Sequence, residues 1–106
     1  MISFEQFKEF EFKVGEIKEA KEHPNADKLV ILKVDIGEEE RQIVAGIRKH
    51  YNVDDLIGKK IVIVANLEPA MLRGIKSEGM LLAAVNKDKV VLVTPEKDID
   101  NGARVQ

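Results

Sequence analysis

Between residues 29 and 36 apolar and polar side chains alternate, with Val30, Leu32, Val34 and Ile36 on one side and Lys33 and Asp35 on the other. Period two is the spacing of a strand, because successive side chains of an extended chain point to opposite faces. Gly37-Glu38-Glu39-Glu40 then turns the chain into Arg41–Ala45, a third strand forming a hairpin with the second. The first strand is placed at Phe12, Val14 and Ile17, where a change of parity around Gly15 predicts a bulge or strong bend. Ile61-Val62-Ile63-Val64-Ala65 is a near-continuous β-branched run, the mark of a buried strand. Asn66 to Gly79 reads as a polar, glycine-punctuated loop, and Met80–Val85 and Val90–Thr94 form a last pair around Asn86-Lys87-Asp88.

Helical signals are short. Ser3 and Gln6 stand at capping-box spacing, and Phe4 and Phe7 then share one face that must pack on something. Asn52 is the predicted N-cap of a second helical turn, with Asp54 and Asp55 at its start and Gly58 as its stop. His23-Pro24-Asn25-Ala26-Asp27 is loop chemistry, and from Pro95 onward the chain is a tail in which Gly102–Val105 adds a last short strand.

Five short strands with a helix between the third and fourth is the layout of the OB-fold, an all-β, five-stranded Greek-key barrel, here with a short N-terminal helix. A sandwich needs about seven strands, and a parallel sheet needs a long helix after each. One domain is expected over 1–106: helix 1–9, barrel 10–94, tail 95–106. Such barrels bind oligonucleotides or oligosaccharides on strands 2–3 and their flanking loops.

Composition narrows the chemistry. No apolar run reaches the ~18 residues that cross a bilayer, and the N-terminus is acidic rather than signal-like, so a soluble, cytoplasmic protein is expected. With no cysteine there is no disulfide scaffold and no thiolate chemistry. His23 and His50 are the only imidazoles, and Ser3, Ser77 and Thr94 have no local base, so no catalytic residues are assigned. His23 and Asp27 lie in a proline-containing loop and do not make a metal site, and no phosphate-cradling glycine loop or other cofactor motif occurs.

A net charge of −2 argues at first against a nucleic-acid partner. The charge is uneven, however: residues 1–40 hold 6 basic and 11 acidic side chains, residues 41–80 hold 7 and 4, and residues 81–106 hold 4 of each. In an OB barrel, Lys33, Arg41 and Arg48 would border one groove with Asn66, Arg73, Lys76 and Ser77 of the loop between strands 4 and 5. They converge there as phosphate donors and polar base readers, or they are separate solvated cations. All four phenylalanines fall within the first twelve residues, leaving Tyr51 as the one stacking face beyond them. RNA would then be held by charge, polar contacts and shape. Met80 offers an apolar platform or is a core residue.

Four strings carry a more specific signal. His23-Pro24-Asn25-Ala26-Asp27-Lys28-Leu29, Arg41-Gln42-Ile43-Val44-Ala45-Gly46-Ile47, Val64-Ala65-Asn66-Leu67 and Gly74-Ile75-Lys76-Ser77-Glu78-Gly79-Met80 occur together in this order. The sequence closely resembles the tRNA-binding-domain family from about residue 10 to the end. That family includes the C-terminal domain or beta subunit of methionyl-tRNA synthetases and free-standing structure-specific tRNA-binding proteins. The resemblance implies a non-catalytic module that binds tRNA by shape, supplementing a synthetase catalytic subunit or acting in trans. It points to Asn25, Lys28, Lys33, Arg41, Arg48, Asn66, Arg73, Lys76, Ser77 and Met80 as facing tRNA.

The resemblance also implies a homodimer, for which Phe4 and Phe7 and the C-terminal tail are the candidate contacts; alternatively the short helix caps its own barrel. Glu68-Pro69-Ala70-Met71-Leu72-Arg73 departs from the family, which is often richer in cations there, so the affinity should be weak and salt-dependent. A related branch of homodimeric secretion chaperones binds unfolded polypeptide on the same barrel. The Gly79-Met80 pair and the complete loop string from His23 to Leu29 favour the tRNA branch.

Overall fold

The computed structural model describes all 106 residues. Its elements run α1 (Phe4–Phe7), β1 (Phe12–Glu22), β2 (Val30–Asp35), β3 (Glu40–Ala45), α2 (Val53–Leu56), β4 (Lys60–Val64), β5 (Ala70–Leu72), β6 (Ile75–Ser77), β7 (Met80–Leu81), β8 (Ala83–Asn86), β9 (Lys89–Leu92) and β10 (Arg104–Val105). The main sheet has the order β3-β2-β1-β4-β7, with β10 added to β1. The two hairpins β5-β6 and β8-β9 stand beside it. This is the all-β, OB-like barrel expected from the strand pattern. No helix is long and apolar enough to cross a membrane.

The long first strand lets the sheet curl. Phe12–Glu16 of β1 pair with β4, while Glu16–Glu22 pair with β2, so one strand serves two neighbours along different halves. The bulge lies between Ile17 and Glu19, beyond Gly15 where the sequence pattern had placed it. Gly15 answers a different need: a Cβ there would stand 2.4 Å from Cγ1 of Val34, so only glycine lets β2 approach.

Inside, Ile17, Val30, Leu32, Val34, Ile43, Leu56, Ile61 and Ile63 are fully enclosed, an aliphatic core in which α2 supplies Leu56 as the plug. Tyr51 packs against this core, and its hydroxyl accepts the Leu92 N–H at 3.1 Å. The one candidate stacking ring beyond the N-terminus is therefore part of the framework.

The region read as loop between Asn66 and Gly79 contains the β5-β6 hairpin. Its strands are only three residues each, too short for a period-two signal to register. The hairpin closes the barrel along the free edge of β3. The Val44 N–H donates to Ser77 Oγ at 2.9 Å, the Gln42 N–H donates to Glu78 Oε1, and the Glu78 N–H donates back to the Gln42 carbonyl at 2.7 Å. Side-chain oxygens thus satisfy edge groups that a regular partner strand would otherwise cover. Gly79 allows the tight passage: its φ is +139°, and a Cβ would lie 2.9 Å from the Val64 carbonyl oxygen.

Both caps follow from sequence, but unequally. At α1 the Gln6 N–H donates to Ser3 Oγ at 3.2 Å and the Ser3 N–H to Gln6 Oε1 at 2.9 Å, a complete capping box. Asn52 holds the N-cap position of α2, yet its side chain caps no backbone N–H and turns to Asp55 instead. No residue of α1 is buried. Phe7 tilts onto Phe12 at 5.9 Å between centroids and Phe10 stacks on Phe12 at 5.7 Å, whereas Phe4 remains 71% exposed.

Candidate nucleic-acid interface

Strand register sorts the outward face of β1-β2-β3 into cross-strand rows. Glu16, Asp35 and Glu40 form one row, Glu19, Lys33 and Gln42 the next, and Lys21, Ile31 and Val44 the third. One end of the face is thus wholly acidic. Within that row the Asn101 amide donates to Glu16 at 3.1 Å, and this bond, with help from Lys18 and Lys60, holds the Glu16 carboxyl below its ordinary range. Phosphate is repelled there, so only the other end, with Lys21 and Lys33, can face an RNA backbone.

The loop between β1 and β2 and the β5-β6 hairpin extend that second end. His23 is 2% exposed, and its two ring nitrogens tie these segments together. Nδ1 accepts the Asn25 N–H at 3.0 Å, which leaves Nε2 to carry the proton and donate to the Leu72 carbonyl at 3.0 Å. Arg73, at the tip of the hairpin with φ +52°, donates from Nε and Nη2 to the Asn25 carbonyl at 3.3 and 3.2 Å. A strained residue at a tip, fixed by two bonds to one oxygen, marks a turn whose shape is specified.

The sequence-derived candidates divide into two groups. Lys28, Lys33 and Lys76 are exposed, and neither they nor Arg73 pair with a carboxylate. Asn25 and Met80 are also exposed, and across the hairpin from Lys76 stands Met71, 66% exposed.

The other candidates have partners inside the fold. Arg41 donates to the carbonyls of Ala65 and Glu78 at 2.8 and 3.1 Å and pairs with Glu39. Arg48 donates to the Ala26 carbonyl at 3.1 Å and pairs with Glu22 at 3.1 Å. The Asn66 side chain accepts from the Glu11 N–H and donates to the Glu9 carbonyl, pinning the N-terminal segment to the end of β4. Ser77 is 4% exposed, with its hydroxyl donating to the Gly79 carbonyl and accepting from Val44.

Sequence reasoning weighed His23 as a loop residue and a rejected metal ligand, not as a tie between segments, and passed over the seam residues Gln42 and Glu78. It also passed over Lys21, although Lys21 stands at strand spacing from Glu19 and could have been placed on the same face. At the opposite pole, Phe4, Phe7, Phe10 and Val105 line an open cavity of about 310 Å³.

A family model described as "Putative tRNA binding domain" matches residues 12–104. A methionine–tRNA ligase of Thermococcus onnurineus is 50% identical over 105 residues, covering 99% of this chain and 14% of that enzyme. Among solved structures, a MetRS related protein from Pyrococcus horikoshii superposes with a TM-score of 0.94 at 39% identity, covering 100% of this chain and 98% of that one. The chaperone CsaA of Bacillus anthracis superposes with a TM-score of 0.92 at 36% identity, covering 100% and 99%. The chain therefore spans about one seventh of the synthetase it matches, and the family model covers most of this chain's length. It belongs to the tRNA-binding-domain family and is homologous to the tRNA-binding domain carried by methionyl-tRNA synthetases.

Proposed function

We propose that this chain binds folded tRNA, without catalysing a reaction itself, as an accessory module to a methionyl-tRNA synthetase or in trans. The observation that carries this reading is the set of five cations without a carboxylate partner, Lys21, Lys28, Lys33, Arg73 and Lys76, on the non-acidic end of the β1-β2-β3 face and on the hairpin and loop that His23 joins to it. Phosphate contacts need free cations at fixed spacing, and rigid framing of the loop supplies the spacing. Asn25, Met80 and Met71 add polar and apolar surface for unstacked nucleotides, whereas Arg41, Arg48, Asn66 and Ser77 hold the frame. A homodimer formed through Phe4 and its cavity would double the basic surface and raise affinity by avidity.

Equilibrium binding of tRNA to the chain and to its Lys28→Ala/Lys33→Ala/Lys76→Ala variant tests the reading: at least a tenfold loss supports it, and unchanged affinity defeats it. The likeness to CsaA supports a second reading, a peptide-binding chaperone. That reading requires binding of unfolded polypeptide through apolar surface, with little response to salt.

A further inference from the structure

A cavity of about 170 Å³ lies on the outward face of β1-β2-β3, beside the bulge between Ile17 and Glu19. Glu19, Lys21, Lys33 and Gln42 form its walls, and Ile31, 5% exposed, lies at its floor. Glu19 is the unexpected member. It carries a negative charge on the half of the face that otherwise suits phosphate, it makes no ion pair although Lys33 is its direct cross-strand neighbour, and it accepts no hydrogen bond. A carboxylate in that position weakens a pure phosphate site, so its use must lie in accepting donors. Gln42 contributes a second acceptor: its Nε2 is committed to the Lys76 carbonyl at 2.7 Å, which turns the amide and fixes where its Oε1 points.

We propose that this cavity receives one unpaired guanosine of the bound RNA, an inference that rests on the tRNA-binding reading and specifies its base recognition. Guanine presents two adjacent donors, N1–H and N2–H, and a carboxylate accepts both in a bidentate pair. Uracil offers a single donor between two carbonyl oxygens, which the Glu19 carboxylate repels. Lys21 and Lys33 flank the carboxylate and meet the phosphates on either side of the base, while Ile31 lies beneath it. Single-stranded or bulged nucleotides present such edges to proteins, and duplex RNA does not. Good bidentate base contacts discriminate strongly, so guanosine should be preferred to uridine by about tenfold or more.

Amide chemical shifts of the full chain titrated with millimolar guanosine 5′-monophosphate and, separately, uridine 5′-monophosphate read the site directly. Shifts of Glu19, Ile31, Lys33 and Gln42 should appear with the guanosine nucleotide at concentrations about tenfold below those needed for uridine. Glu19→Gln, which keeps the shape and removes the charge, should abolish the preference, and Lys21→Ala should weaken both nucleotides equally. Equal response to both nucleotides, shifts confined to other surfaces, or no shift from either overturns the guanosine pocket. If tRNA still binds the chain in that case, the tRNA reading stands and only the pocket falls; if tRNA does not bind at all, the broader reading has failed first.

Discussion

His23 and Leu72 lie 49 positions apart, and the imidazole Nε2 of the first donates to the carbonyl of the second at 3.0 Å. That bond, with the Asn25 N–H on Nδ1 and Arg73 on the Asn25 carbonyl, makes the loop after β1 and the β5-β6 hairpin one rigid body. Two buried ring nitrogens with two backbone partners leave the side chain no freedom, so the imidazole acts as a structural pin rather than a ligand.

His23→Ala should therefore loosen the hairpin more than the barrel. The Leu72 carbonyl and Asn25 N–H lose their partners and a void opens, a cost of about 2–3 kcal/mol in urea unfolding. Hydrogen exchange should accelerate first at Arg73–Ser77, and tRNA affinity should drop although His23 itself is not exposed. Unchanged exchange in the hairpin would show that the pin is dispensable.

Ser77 and Lys76 are adjacent in sequence and should behave oppositely. Ser77→Ala leaves the buried Val44 N–H without an acceptor and should cost about 1–3 kcal/mol of stability, with tRNA affinity kept while the chain is folded. Lys76→Ala should leave the unfolding midpoint within experimental scatter and lower the slope of log affinity against log salt by about 1. Denaturation and salt-titrated binding of both variants check this together.

The Ser77 case shows what sequence could and could not disclose. Alternation in Val30–Ile36 and the β-branched run Ile61–Ala65 reflect burial that each residue's own character reveals, and with Ser3 and Gln6 they were enough for the barrel and the first cap. The strings Arg41–Ile47 and Gly74–Met80 were legible as a resemblance, but not as to purpose. Arg41, Ser77 and Glu78 meet only because a hairpin more than thirty residues later closes on the edge of β3, and no local pattern records which polar groups are used up by such a closure. In the same way Gly15 suggested a bulge that the strand makes further on, between Ile17 and Glu19, while the reason for the glycine lay in the Val34 side chain on the next strand. Which cations remain free depends on those distant pairings.

The C-terminal tail should respond to pH at both extremes. Lys60 donates to the Asp98 carboxylate at 2.8 Å, which holds the Asp98 pKa below its ordinary value and raises that of Lys60, and Asn101 lowers that of Glu16. Carboxyls depressed in the fold contribute stability above their unfolded pKa values and lose it as pH falls through the folded ones. For Lys60 the contribution is present below its unfolded pKa and disappears as pH rises through the raised one. The resonances of Lys97–Ala103 should stay constant through neutral pH. They should move first below the usual carboxylate range and again above the usual lysine range, and Lys60→Met should remove the alkaline step.

Phe4 tests the proposed self-association. With its ring open beside the cavity shared with Phe10 and Val105, Phe4→Ser should convert a sedimenting dimer into monomer without changing the unfolding curve measured at low concentration. tRNA affinity should fall with the lost second site. If native chain and variant both sediment as monomers, α1 is not a dimer contact.

The central claim is most directly tested by a competition between folded tRNA and single-stranded DNA of equal length, titrated with salt. Folded tRNA should be preferred at every salt concentration, with log affinity falling linearly with log salt at a slope of about −4 for the free cations Lys21, Lys28, Lys33, Arg73 and Lys76. Equal affinity for the two polymers, or affinity indifferent to salt, would contradict it.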